Sequence, residues 1–514
     1  MTQVTDTQKY DRQLRLWGEI AQARLEKSKV LSIGSDCVAS EFMKSIVLPG
    51  IGFIGIADKQ IVSENDLETN FFIDCENLGQ KRGECILNNL LELNDRVKGE
   101  YYFKSLKEIL KEKSFIQSFD IIVCSNQLHE DVISLSILTK NPIIEVYTNG
   151  FIGVVKVYVG SHVIFDDGNS NIPMDLRVPY PFPKLQEFYN SIDIPNLNKD
   201  NHMHIPFPLI LIWALNQWRK EKNQTGIPKS KQDKDMIKEI IRKQAFNFYA
   251  EENFQEALQF VFYCWQDIPG NVKQLLNDPR SISSLTGLKK EEIEFWGFIG
   301  GVKIFNEKNK RLPVDSGIKD MIASNEYFVQ LQHVFVSQLE EDAKEVLEYI
   351  KERVNRDNVE KEVEFTLEMV KRHCKALRKM HVIDGVDGKY NSNWIGQDYL
   401  LNTPQSSLMY LAIIYASFEF EKIYQRLPCD KQDVDELLKL TNQVLKEKGV
   451  EQNVERNCVE QICRFGGVQI HTVNSVIGSF VGQEVIKYAS HQFGALDNTF
   501  IFNTETGSSI NGRF

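Results

Sequence analysis

The stretch 30–58, VLSIGSDCVASEFMKSIVLPGIGFIGIAD, constrains this chain more than any other. An apolar strand, Val30 to Ile33, runs into Gly34; a helical pattern follows, and a second apolar run ends at Asp58. Strand, glycine turn, helix and strand together open a parallel α/β sheet whose helix N-terminus can face a phosphate. A phosphate loop of this kind needs G-x-G-x-x-G, because its glycines let backbone amides approach the ligand. Only Gly34 is present. Ser35, Asp36 and Cys37 put side chains in that approach, and Asp36 adds like charge. The segment predicts a nucleotide-binding fold that has lost its phosphate loop.

Further strand-like runs lie at 51–57, 120–124, 142–147 and 152–159, with a helical pattern at 79–94 between them. This alternation predicts a doubly wound, mostly parallel α/β domain over 1–165. A proline-rich turn region, FDDGNSNIPMDLRVPYPFPK, then marks a domain exit, and 166–385 reads as a mainly helical insertion. Within it, LILIWAL (209–215) fits a buried helix behind a proline. Helices are predicted over 338–354, where Leu339, Ala343, Val346, Leu347, Ile350 and Val354 share one stripe, and over 359–377. A Gly- and Asn-rich loop, DGVDGKYNSNW, and an apolar helix at 406–420 fall in a connecting helical segment, 386–455. The returning part, 456–514, reads as a small-residue helix followed by strand and turn. Gly478 and Gly482 would let that helix pack closely, with the first domain's sheet as the expected neighbour.

Composition removes several classes of function. With 60 basic against 71 acidic residues the net charge is −11, which argues against nucleic acid and suits a protein partner. The nine cysteines include no C-x-x-C pair and there is no His-x-x-x-His, so neither a metal site nor a disulfide framework is predicted, and a reducing compartment follows. The polar N-terminus lacks the apolar core of a secretory signal, and no run reaches the ~20 residues that cross a bilayer. The expected location is the cytoplasm, with the nucleus also open.

Several ordered motifs are recognisable together: YDRQLRLWG (10–18), LPGIGFIGIAD (48–58), NFF (70–72), LGQKRGE (78–84) and HTVNSVIGSFVGQEVIK (471–487). The chain resembles the adenylation fold of ubiquitin-like modifier activating enzymes, the MoeB and ThiF superfamily. RLPVDSGIKDMIASNEYFVQLQ (311–332) and the length are similar to the regulatory subunits of Nedd-type (Rub) activating enzymes, the amyloid-precursor-protein-binding protein family. Active members of the superfamily bind ATP and magnesium through residues that this chain has lost. Only Gly34 remains of the loop, Thr69, Asn70 and Phe71 replace an Arg-Gln-Phe segment, Arg82 stands for a lysine, and Ser125 and Asn126 stand where an aspartate is expected. Asp58 survives, as a relic or as a capping residue.

The resemblance implies a noncatalytic subunit that binds no cofactor itself and whose partner, the catalytic subunit, holds ATP and magnesium. It also implies that Arg12 reaches into the partner's site in trans, with Arg15 the neighbouring alternative; the residues by themselves allow both to be helix-surface groups paired with Asp11 or Glu19. The insertion resembles a catalytic-cysteine domain without its cysteine: Cys264 and Cys374 lie in apolar or amphipathic patterns, and Cys429 lacks the expected following threonine. His471 is expected to shape the start of its helix. Trp17 and the NFF aromatics are core or interface anchors. The further partners implied are the Nedd-type modifier and, transiently, its conjugating enzyme, ahead of cullin modification. The rival readings are the inactive subunit of the SUMO activating enzyme, a nucleotide-dependent oxidoreductase with a variant loop, and a pseudoenzyme adaptor.

Overall fold

The computed structural model describes residues 9–168, 171–385, 394 and 406–514. Two units are formed: 1–164 with 382–514, and 165–381. The predicted loop DGVDGKYNSNW lies mostly outside the described residues.

The strands are β1 (Lys29–Ile33), β2 (Phe53–Ala57), β3 (Lys98–Tyr102), β4 (Ile121–Ser125), β5 (Ile143–Asn149), β6 (Ile152–Tyr158), β7 (Ser161–Ile164), β8 (His381–Asp384), β9 (Thr499–Asn503) and β10 (Ser508–Gly512). Eight of them form one sheet in the order β10-β9-β6-β5-β4-β1-β2-β3, while β7 pairs with β8. From β3 to β5 every neighbour is parallel, and β6, β9 and β10 continue antiparallel. The fold is therefore α/β and doubly wound in its first half. The run at 152–159 departs from a parallel expectation because only Gly150 and Phe151 separate β5 from β6, and a parallel return needs a crossover of a dozen or more residues.

Both faces of the parallel half are covered, which explains its unbroken apolar runs. Val30, Ile121 and Val123 pack on one side with the helices Cys37–Val47, Arg82–Glu92 and His471–Ser490; Leu31, Ile122 and Cys124 pack on the other with Val132 and Leu135. The helices Ser407–Tyr424, Val434–Glu447 and Arg456–Phe465 bury Tyr147, Ile152, Val154 and Ile501, so the segment read as a connection is part of the sheet's own core.

Gly478 and Gly482 do allow close packing, but the neighbour is the helix Cys37–Val47 rather than the sheet. A Cβ on Gly478 would lie 2.6 Å from Glu41 Cβ, 2.9 Å from Phe42 N and 3.0 Å from Val38 O. Backbone atoms cannot give way as a side-chain tip can. Gly478→Val is therefore expected to cost about 1–3 kcal/mol through overpacking, read as a lower urea midpoint; an unchanged midpoint would refute the contact.

The second unit is helical. Its long helix, Asn325–Asp357, ends at Asn358, which is left-handed (φ 54°). The next helix is Leu367–Ala376, capped by the Thr366 hydroxyl accepting the Met369 amide, so the helix predicted from 359 begins eight residues later. Val363 and Phe365 are buried two residues apart, the spacing of extended chain and not of a helical face. The apolar run 209–215 lies within a helix, Phe207–Lys222, with Pro206 before it. Among the described residues no helix is long and apolar enough to cross a membrane.

Candidate functional site

A cleft of about 280 Å³ opens at the carboxyl ends of β1, β2 and β4, lined by Gly34, Asp58 and Asn126 among others. The chain order reverses between β1 and β4, and the crevice at such a point is where doubly wound sheets bind ligands. Helix Cys37–Val47 starts at this cleft, so its free amides are the groups that a phosphate would meet.

Two of those amides, those of Cys37 and Ala39, are already taken by side chains of the chain itself. Asp36 accepts the Ala39 amide at 3.0 Å, and its other carboxylate oxygen accepts Asn126 Nδ2 at 2.8 Å and Gln469 Nε2 at 3.1 Å. Gln469 Oε1 in turn accepts the Cys37 amide at 3.2 Å. Asp36 is thus a built-in anion at the helix N-terminus, held by two side-chain amides. Asn126 is left-handed (φ 46°) and is fixed further by accepting the Thr148 amide at 2.9 Å.

Arg82 closes the adjacent part of the cleft. Its Nη2 donates to Asp58 at 3.0 Å, its Nη1 to Asp66 at 3.0 Å and its Nε to the Ser35 hydroxyl at 3.1 Å; Ser35 donates in turn to Asp58. Burial works to raise the Asp66 carboxyl, yet Ser63 and Arg82 outweigh it and hold the group below its usual range. Burial likewise opposes the Arg82 charge, but Asp58, Asp36 and Asp66 more than offset it. Asp58 caps the Gln60 amide at 2.9 Å through Oδ1 and is at the same time half of a buried ion pair. A nucleotide triphosphate would have to displace Asp36 and break this pair, so the residues present do not fit one.

Thr69 ends the short helix Glu64–Thr69, and Asn70 is buried, donating to Ser40 Oγ at 2.8 Å. Phe72 joins the core, whereas Phe71 is 80% exposed and Trp17 is half-buried. His471 opens its helix with Nδ1 3.3 Å from Thr69 O and 3.7 Å from Cys37 Sγ. That thiol is pushed up to about 12, chiefly by burial. Cys264 and Cys374 are buried, and burial raises both thiols, the opposite of what a nucleophile needs. Cys429 is exposed beside Arg426.

Arg12 lies elsewhere, on the helix Asp11–Leu25, none of whose residues lines the cleft. It is exposed, and no hydrogen bond or ion pair to it occurs among the described residues; Arg15 is paired with Asp11 at 2.9 Å. The turn carrying Arg12 is clamped from below. Tyr10 is buried with its hydroxyl accepting Asn94 Nδ2 at 3.0 Å, and Lys9 donates to Asn94 Oδ1 at 2.7 Å and Asp95 at 2.9 Å. At Gly18 (φ 80°, ψ 167°) the helix is kinked, a conformation open to glycine and not to a residue with a Cβ. The Trp17 indole donates across that kink to Gln22 at 2.9 Å.

This sheet and its crevice define a doubly wound α/β protein of the ThiF type, and the chain belongs to the ThiF family, which it matches over residues 10–511. It is 30% identical to the NEDD8-activating enzyme E1 regulatory subunit of Xenopus laevis, over 96% of both chains. It is 29% identical to the Drosophila melanogaster protein of that name (98% of this chain, 97% of that one) and 27% identical to an Arabidopsis thaliana regulatory subunit (98% and 95%). Within the ThiF family it groups with these regulatory subunits.

Gln469, Asp66 and the Lys9–Tyr10–Asn94 clamp were not legible as site residues. Each acts across 16 or more positions of sequence, and Gln469 meets Asp36 across 433. No local spacing carries such a signal.

Proposed function

We propose that this chain is the noncatalytic subunit of a two-chain activating enzyme for a NEDD8-type modifier, pairing with a catalytic subunit that holds ATP, magnesium and the thioester cysteine. The observation that carries this reading is the contrast between a cleft filled by its own Asp36 and Arg82 and, on a clamped arm outside it, an exposed arginine with no partner among the described residues. A subunit that kept an adenylation fold for its surface has this division. The likeness to regulatory subunits over nearly the whole chain supports it and favours the NEDD8-type modifier over the SUMO alternative.

In this reading the modifier's C-terminal carboxylate attacks the α-phosphate of ATP in the partner's site, releasing pyrophosphate and leaving an acyl adenylate. The partner's cysteine then takes the acyl group and AMP departs. Arg12 donates to the phosphates as negative charge develops there, and Tyr10 and Asn94 hold the arm that presents it. Phe71, exposed, serves in this reading as an interface anchor, a role that suits an aromatic. The modifier passes next to a conjugating enzyme and on to cullins. All nine cysteines are free thiols, which suits the cytoplasm.

Modifier-dependent ATP–pyrophosphate exchange tests the reading, run with this chain alone, the catalytic subunit alone, and both. Exchange that needs both chains is the expected result; exchange by this chain alone, or an equal rate without it, overturns the proposal.

A further inference from the structure

The motif RLPVDSGIKDMIASNEYFVQLQ has no assigned chemical role in the reading above, yet its first residues, Arg311 and Leu312, line a second cleft, of about 240 Å³, within the helical unit. Four basic side chains line it, Arg177, Lys310, Arg311 and Arg378, against the carboxylates Asp175 and Asp267. In a chain of net charge −11 such a local excess of cations is out of character.

What each cation already does decides what is left for a ligand. Arg311 is held by Asp342 through two bonds of 2.6 Å. Arg177 is paired with Asp175 at 2.7 Å and donates to Pro313 O at 2.8 Å, and Asp267 is neutralised by Lys273 at 2.6 Å. Arg378 and Lys310 remain, Arg378 with the Asp315 carboxylate acting on it electrostatically but without a salt bridge. Arg378 is nine-tenths buried and donates to one carbonyl, Pro173 O at 2.8 Å, and neither it nor Lys310 has a salt bridge among the described residues. A guanidinium has five N–H donors, so most of those on Arg378 are available to an acceptor in the cleft.

Apart from Gln266 and the Tyr180 hydroxyl, the remaining lining is apolar. Ile268, Pro269 and Leu312 lie beside these cations, and Tyr180, 59% exposed, stands with the Arg219 guanidinium 5.7 Å from its ring centroid. The volume falls below the ~300–1,000 Å³ of small-molecule sites and suits one or two side chains of an extended segment.

We propose that this cleft docks a short acidic peptide segment of a partner protein, an Asp or Glu carboxylate meeting Arg378 and Lys310 while a neighbouring apolar side chain rests on Ile268, Pro269 and Leu312. A carboxylate in a partly desolvated fork of this kind gains charge-assisted, bidentate hydrogen bonds. The proposal is independent of the adenylation reading, because the cleft lies wholly in the helical unit.

The test uses the full chain and fluorescent hexapeptide pools in which one position is fixed as Glu beside Leu or Phe, with matched pools carrying Gln in place of Glu. Anisotropy should select Glu pools, and Lys310→Glu and Arg378→Gln should each weaken the best peptide at least tenfold. Lys310 is exposed and caps a helix through its backbone, so its variant keeps the test valid if Arg378→Gln fails to fold. Equal binding of Glu and Gln pools, no binding by either pool, or an affinity indifferent to Lys310→Glu overturns the proposal. Succinate displacing the peptide at equal concentration would make this a small-anion site and overturn it as well.

Discussion

Arg12→Ala lowers modifier-dependent exchange by the assembled pair by about 10²–10³-fold, the usual loss when one positioned donor to a developing negative charge is removed. The effect is expected in kcat and not in nucleotide KM, since the proposed contact would strengthen as charge develops. Folding should be untouched, because Arg12 is exposed and has no partner among the described residues. Arg15→Ala, which removes only a surface pair with Asp11, should change exchange less than twofold. Equal losses from the two variants would assign the effect to the helix surface in general and remove Arg12 from the site.

Arg82→Ala is expected to destabilise the chain by about 3–5 kcal/mol, the cost of leaving buried charges without their partner. Both Asp58 and Asp66 lose their guanidinium, and the side chains of all three residues are at most 15% exposed. The loss should appear as a lower urea midpoint, and changing Asp58 and Asp66 to Asn in the same chain should recover part of it. Arg82→Lys recovers less, because one ammonium cannot bridge two carboxylates and Ser35 as the planar fork does. If Arg82→Ala instead leaves stability unchanged, the buried pair does not hold this part of the cleft together.

How far the sequence could be read follows burial. Strands β1, β2, β4 and β5 were visible as apolar runs because both faces of each are covered, whereas β3, Lys98–Tyr102, lies at the sheet's edge, mostly half-exposed, and gives no such run. The antiparallel turn at Gly150 and Phe151 was legible in principle from its length alone. The helical stripe of 338–354 was clear, but the alternation of Val363 and Phe365 was hidden inside a charged stretch that also suits a helix. At the site, the missing glycines and Asp36 were plain because they stand side by side in the chain. Their partners Asn126 and Gln469 were not, since the fold alone brings them to Asp36.

In the proposed division of labour one chain has given up its nucleotide while serving its partner's. Equilibrium dialysis with labelled ATP measures this directly, on this chain alone and on the assembled pair. The account predicts no binding to the isolated chain at millimolar ATP and one ATP per pair; one ATP on the isolated chain, or two per pair, would contradict it.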